Sequence, residues 1–249
     1  MGIVYVGNRS RIPPYRFLEN VGGAAFSPLD VAGLQLWLVS SLGVYQEHDS
    51  KTTPSGNGDP VGTWEDQSGN GNDVNAPASD IQRPILVTGV VNGLPILRFD
   101  GGQYLRKAFA LNQPYTVYII FLQDSWTNND RVFTGVTNQT IFIQNGISPT
   151  LKLYAGSFVA DNTDLPLDTF GICRVIFNGA SSSIRIDDNV ATTGNPGALS
   201  AGGITIGAST TGANDSDIDV AEVFIYNAAI SGEDDTNIMT YLNDKYNIY

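Results

Sequence analysis

Val61–Leu105 reads VGTWEDQSGNGNDVNAPASDIQRPILVTGVVNGLPILRFDGGQYL. It joins an aromatic and acidic turn (Trp64, Asp66), a Ser-Gly-Asn-Gly-Asn loop (Ser68–Asn72) and an Asn-Gly-Leu-Pro hairpin turn (Asn92–Pro95). A short strand, Ile96–Phe99, then ends in Asp100-Gly101-Gly102. Gly accepts positive φ, Pro removes a backbone donor and Asn tolerates left-handed backbone, so this density of the three suits turns stitched to short strands and excludes a periodic helix. The class it predicts is all-β.

Outward from this stretch the pattern continues. Leu34–Leu38 alternates as a strand does, and further strands are expected at Pro95–Phe99, Tyr115–Leu122, Arg131–Val136, Thr140–Gln144 and Thr150–Tyr154. Others follow at Ile172–Asn178, Ser183–Asp187, Gly203–Ala208 and Ile218–Asn227, with Asn178–Ser181 as a hairpin connection. Tyr115–Leu122 (YTVYIIFL) is apolar on both faces, as at the centre of a sandwich. Helix is expected only at the end. Ser231 and Asp234 form an S-x-x-D box, Glu233–Asp235 put negative charge in the first turn, and Ile238, Met239, Tyr241, Leu242, Lys245 and Tyr246 recur at helical spacing. Without an internal repeat or a linker, residues 33–249 read as one domain. Residues 1–32 read as an arm whose Tyr5, Pro13, Pro14, Tyr15 and Phe17 are too apolar for a solvated linker, and which is expected to lie on its own domain or on a neighbouring subunit.

The 249 residues are 42% hydrophobic, enough for a sizeable core, but only 15% charged, so surface polarity must come from hydroxyls and amides. A net charge of −12 opposes the clamping of phosphates, so no nucleic-acid partner is expected. The single cysteine, Cys173, excludes an intrachain disulfide and a cysteine-rich zinc site, and its alternating segment makes it a buried small hydrophobe. The single histidine, His48, sits in a polar loop and reads as exposed; no Gly-x-Ser-x-Gly elbow accompanies it for a serine triad. The N-terminus carries no apolar core of signal-peptide length and no run of 18 apolar residues occurs, which predicts synthesis in the cytoplasm without an export signal and no membrane insertion.

Several of these segments stand in a recognisable order. Leu36-Trp37-Leu38, the W-x-D-x-S-G-N-G-N run Trp64–Asn72, N-G-x-P at Asn92–Pro95 and F-D-G-x-x-Y-L at Phe99–Leu105 are followed by A-E-V-x-I-Y-N at Ala221–Asn227 and Y-L-x-x-K-Y at Tyr241–Tyr246. In these features the chain resembles the laminin G-like, concanavalin A-like jelly rolls of bacterial and bacteriophage proteins. The resemblance implies a two-sheet antiparallel jelly-roll sandwich closed by one C-terminal amphipathic helix, with loops gathered on one rim. Such folds serve lectins, adhesion domains, glucanases and phage structural proteins alike.

Three site expectations come with it. Some glucanases of the superfamily carry E-x-D-x-x-E on one strand; Asp217-Ile218-Asp219-Val220-Ala221-Glu222 has the spacing, but a regular strand would put Glu222 on the face opposite Asp217 and Asp219, and only a bulge would unite them. Sugar-binding members offer aromatic rings and amides, for which the candidates are Trp64, Tyr104, Trp126, Asp66, Asn70, Asn72, Asn128 and Asn129. A calcium ion could draw on Asp215, Asp217 and Asp219 with Asn214; no other cofactor is expected.

With the arm, the low charge and the missing disulfides, the resemblance points to a non-enzymatic structural or adhesion protein on the exterior of a virus particle: a bacteriophage capsid decoration, fibre or tail component. It would be joined to other virion proteins or to its own copies through the arm, and would attach to cell-surface polysaccharide. The alternative is a bacterial carbohydrate-binding lectin module, with glycoside hydrolysis a third reading.

Overall fold

The computed structural model describes residues 26–159 and 163–249. Asn92 and Gly93 both take left-handed φ, 47° and 75°. That is the type I′ geometry whose twist matches two antiparallel strands, so the hairpin expected at Asn92–Pro95 forms.

In chain order the strands are β1 (Leu34–Val39), β2 (Val44–Tyr45), β3 (Thr63–Trp64), β4 (Val74–Asn75), β5 (Ile85–Val91), β6 (Leu94–Phe99), β7 (Leu105–Ala108) and β8 (Tyr115–Gln123). There follow β9 (Arg131–Thr134), β10 (Ile141–Gln144), β11 (Thr150–Tyr154), β12 (Thr163–Asp164), β13 (Phe170–Phe177), β14 (Ser182–Ile186), β15 (Thr192–Gly194), β16 (Gly203–Ile206) and β17 (Ile218–Tyr226), then helix α1 (Gly232–Tyr246). One sheet runs β15-β14-β13-β8-β17-β6-β5. In it β6 pairs with the first half of β17 and β1 with the second half. The other sheet runs β12-β11-β10-β9-β16-β7-β4-β3-β2. The two form the antiparallel sandwich that the sequence predicts.

Between the sheets lie Leu36, Leu38, Trp64, Phe121, Phe142 and Phe177, all fully buried. The outer face of the first sheet is covered instead by α1, whose Ile238, Met239, Leu242 and Tyr246 join Tyr118 and Ile120 in a second apolar layer. Tyr115–Gln123 is buried on both faces for this reason: Val117, Ile119 and Phe121 face the sandwich interior, while Tyr118 and Ile120 lie under the helix.

Charge fixes the helix as well. Near its start Asp235 accepts from Arg174 Nη1 and Tyr118 Oη, each at 2.7 Å, with Arg185 Nη2 at 3.1 Å. Near its end Lys245 meets Glu222 of β17 at 2.7 Å. Asp235 is therefore an anchor and not merely a dipole charge. Ser231 occupies the N-cap position, yet its side chain makes no capping bond, so the expected box does not form.

Besides the expected β6, the stretch Val61–Leu105 holds β3, β4 and β5, and β7 begins at its last residue. Their alternation is weak because β3 and β4 are two residues long, β5 is half-exposed and β7 is short. Residues 26–32, assigned to the arm, pack on the domain: Val31 is buried, Phe26 lies edge-on to Tyr241 and the Pro28 carbonyl accepts from Tyr226 Oη. Tyr5, Pro13, Pro14, Tyr15 and Phe17 lie outside the described residues. No helix among the described residues is long and apolar enough to cross a membrane.

Candidate functional site

The W-x-D-x-S-G-N-G-N loop resolves into a clamp. Trp64 is wholly buried in the sandwich core. Asp66 accepts from the backbone amides of Trp37 (3.0 Å), Ser68 and Asn72 (each 2.9 Å), and from Ser68 Oγ (2.8 Å). Asn70 Nδ2 donates to the Leu34 carbonyl (2.9 Å) and Asn72 Nδ2 to the Gln35 carbonyl (2.8 Å), where β1 is irregular between Leu34 and Leu36. The carboxylate and amides are thus spent on backbone groups that the irregularity frees from the sheet, and burying those groups unpaired would be costly. Trp64, Asp66, Asn70 and Asn72 are corrected from sugar ligands to fold-specifying residues. Tyr104 is half-buried beside Gly212, where an added Cβ would come within 2.9 Å of its ring. His48 is exposed and its Nδ1 bonds to the Ala76 carbonyl.

The acidic motif holds a second difference from expectation. Val220 faces Phe121 and Glu222 faces Ile120, so Ala221 is an extra residue in β17. This bulge turns Glu222 to the same face as Asp219, contrary to the regular strand expected. It is the outer face, under α1. There Glu222 accepts from Lys245 Nζ, Tyr246 Oη and Trp37 Nε1, each at 2.7 Å. Asp219 receives Arg98 Nε and Nη2 at 2.8 and 2.7 Å in a two-pronged pair. Asp217 accepts from Ser125 Oγ (2.8 Å) and Asp215 from the Gly102 amide (2.7 Å). Asp219 is therefore unavailable to the calcium set, and no three His, Cys, Asp or Glu side chains among the described residues are arranged to hold a metal.

The loop between β8 and β9 leads to a broad depression on the opposite sheet that combines rings with amides. Trp126, expected as an exposed ring, is half-buried and donates Nε1 to the Thr150 carbonyl (3.1 Å), pinning the loop to β11. Asn128 Oδ1 accepts from the Gly146 amide (3.1 Å). Asn129, exposed and with φ 81°, lines the depression, an open space of about 440 Å³. Ile141 and Ile143 of β10 form its floor. Tyr154 at the end of β11 and Phe158 just beyond it stand with ring centroids 5.1 Å apart, and Phe158 is 44% exposed. Arg131, Asn138 and Asn214 complete the lining.

Arg131 is held by its neighbours. Nη1 donates to Asn138 Oδ1 (2.9 Å), and Asn138 is itself fixed by the Thr210 amide (3.2 Å) and Thr210 Oγ1 (2.7 Å). Burial lowers the Arg131 pKa from its ordinary value. Next to it in sequence, Asp130 is pushed up to about 6, first by burial and then by the Asp215 and Asp217 carboxylates.

Of this site the sequence singles out Asn129 as a sugar candidate, and Asn214 only as a candidate calcium ligand. Tyr154, Phe158, Arg131 and Asn138 come from separate elements that β9-β10-β11 pairing brings together. The one available signal was Tyr154 at the edge of an alternating strand, followed by an aromatic in a Gly-Ser loop.

No protein-family model and no curated protein matches the sequence. Among solved structures, Trypanosoma rangeli sialidase in complex with 2,3-difluoro-KDN is similar with TM-score 0.53 and 17% identity over 94% of this chain and 36% of that one. A GH54 α-L-arabinofuranosidase soaked with a cyclic sulfate inhibitor is similar with TM-score 0.57 and 14% identity over 75% of this chain and 51% of that one. The chain thus spans about a third of the sialidase and half of the arabinofuranosidase. The fold is that of a β-sandwich found in carbohydrate-active proteins. The expectation of a non-enzyme is corrected by these neighbours, which are enzymes; at this identity the likeness reaches the fold and not the chemistry.

Proposed function

We propose that this chain is a carbohydrate-binding jelly roll of the laminin G-like type, and that the depression on β9-β10-β11 takes the sugar. The observation that carries this is the pairing of the Tyr154 and Phe158 rings beside the amides of Asn129, Asn138 and Asn214 over an aliphatic floor. Apolar ring faces suit the C–H face of a pyranose, and the amide of Asn214 and the Nδ2 of Asn129 suit its hydroxyls; a volume of about 440 Å³ has the scale of small-ligand sites. Asn214 is exposed and makes no side-chain hydrogen bond among the described residues, so its amide is free for a hydroxyl.

The test is a glycan array followed by calorimetry on the full chain. Phe158→Ala should weaken binding by ~5-fold or more with the melting temperature unchanged, since an aromatic ring contact contributes about 1 kcal/mol or more. If no glycan binds, or if Phe158→Ala binds as well as the parent, the reading fails. Display on the exterior of a virus particle, with residues 1–25 as the attachment to other virion proteins or to copies of the chain, stays a proposal supported by sequence composition and resemblance.

A further inference from the structure

We propose that the sugar taken by this depression carries a carboxylate, and that the Arg131 guanidinium is its anchor. The inference rests on the reading just given and names the ligand class for the same site.

The chain has 25 acidic residues against 13 basic ones, and several of its cations are consumed by carboxylates. Arg98 meets Asp219, Arg174 and Arg185 meet Asp235, Lys51 meets Glu65 and Asp73, and Lys245 meets Glu222. Arg131 differs. Among the described residues no carboxylate lies within ion-pairing distance of it, although it is partly buried. Its partner is Asn138, a neutral acceptor, which orients the guanidinium without cancelling its charge.

The donor count points the same way. A guanidinium has five N–H groups. One Nη1 hydrogen is on Asn138, and Nε is buried with no partner. The remaining Nη hydrogens have no partner among the described residues and are not sealed off, since Nε is the only Arg131 nitrogen both buried and unsatisfied there. Parallel N–H groups on Nη1 and Nη2 match the two coplanar oxygens of a carboxylate. Ile141, Ile143 and the two rings around the charge reduce its hydration, which makes an arriving anion more favourable than it would be on an open surface. In a protein of net charge −12 this is a local exception that selects for an anionic group presented on an otherwise uncharged, ring-stacking scaffold.

Carboxylated sugars occur as uronic acids within a chain and as terminal carboxylated residues, and the experiment separates them. The full chain is titrated in a calorimeter at low and at moderate salt with a uronic-acid oligomer, an oligosaccharide ending in N-acetylneuraminic acid, carboxyl-reduced forms of both, and a sulfated galactan oligomer. The expected result is binding to either carboxylated ligand, which identifies the source, with at least ~10-fold weaker binding of its reduced form. Arg131→Gln should lose at least ~10-fold on the carboxylated ligand and several-fold less on the reduced one, so that the preference for the carboxylate disappears. Arg131→Lys, which retains the charge and guards against a folding defect in the glutamine variant, should recover part of the loss. The proposal is overturned if carboxylated and reduced ligands bind alike, if the sulfated oligomer binds as tightly as the carboxylated ones, or if Arg131→Gln binds as the parent does. Neutral sugars binding through Phe158 with no preference for acids would remove this inference and leave the broader reading standing; no binding of any glycan would remove both.

Discussion

Replacing Lys245 with methionine strips the cation from a pair whose side chains are 3% and 0% exposed and whose Nζ and Oε2 are 2.7 Å apart. The Glu222 carboxylate would stay under α1 with Tyr246 Oη and Trp37 Nε1 as donors but no counter-charge. Breaking a buried pair from one side costs about 3–5 kcal/mol, and the two surviving hydrogen bonds place Lys245→Met near ~3 kcal/mol. Glu222→Gln removes the carboxylate that faces the Lys245 ammonium and should cost a similar ~3 kcal/mol. The double variant keeps a neutral amide for Trp37 and Tyr246 and buries no charge, so its cost should fall to about 1 kcal/mol. The coupling is then ~5 kcal/mol, within the span measured for close charge pairs. Guanidinium unfolding at pH 7 with an unchanged m-value reads these numbers, and each single variant should melt about 6–12 °C below the parent. Single losses that add in the double variant to within ~0.5 kcal/mol would refute the reasoning, because independent sites behave that way. The same series examines Glu222 as a reacting carboxylate: that role would require turnover lost at full stability, the reverse of the outcome expected.

Three further outcomes are expected. Asp130 has a folded-state pKa raised from 3.8 to about 6, so the folded state holds its proton more tightly than the unfolded chain. Its contribution favours folding at low pH and is lost as pH rises from about 4 through 6. The full rise corresponds to ~3 kcal/mol, and because Asp130 is half-exposed, screening leaves ~1 kcal/mol. Asp130→Asn should therefore raise stability at pH 7 by about that much and flatten the pH 4–6 dependence seen in thermal melts; an unchanged profile counts against it. Asp66→Ala removes the acceptor of four hydrogen bonds and should destabilise by about 2–4 kcal/mol in denaturant titrations, while the protein that remains folded binds glycan as the parent does. Deleting residues 1–25 should leave the melting temperature within a few degrees and abolish assembly measured by light scattering, whereas deletion to residue 32 should also destabilise the domain because it removes buried Val31. Normal assembly of the shorter truncation would end the anchoring proposal.

The sequence by itself determined the class, most strands, the hairpin at Asn92-Gly93 and the closing helix, because these follow from local φ preference and the two- and 3.6-residue periods of side-chain burial. It could not assign roles to polar residues. Asp66, Asn70 and Asn72 look like sugar ligands until β1 arrives with unpaired backbone groups for them to bind. Glu222 looks catalytic or merely structural until a single extra residue, Ala221, turns it toward Lys245. Only the tertiary structure decided that the rings of Tyr154 and Phe158 share a depression with Arg131, Asn138 and Asn214. These residues are separated by up to 83 positions along the chain, as from Arg131 to Asn214. No periodicity links them; they meet because β9, β10 and β11 pair and the loop before β17 folds back beside Arg131.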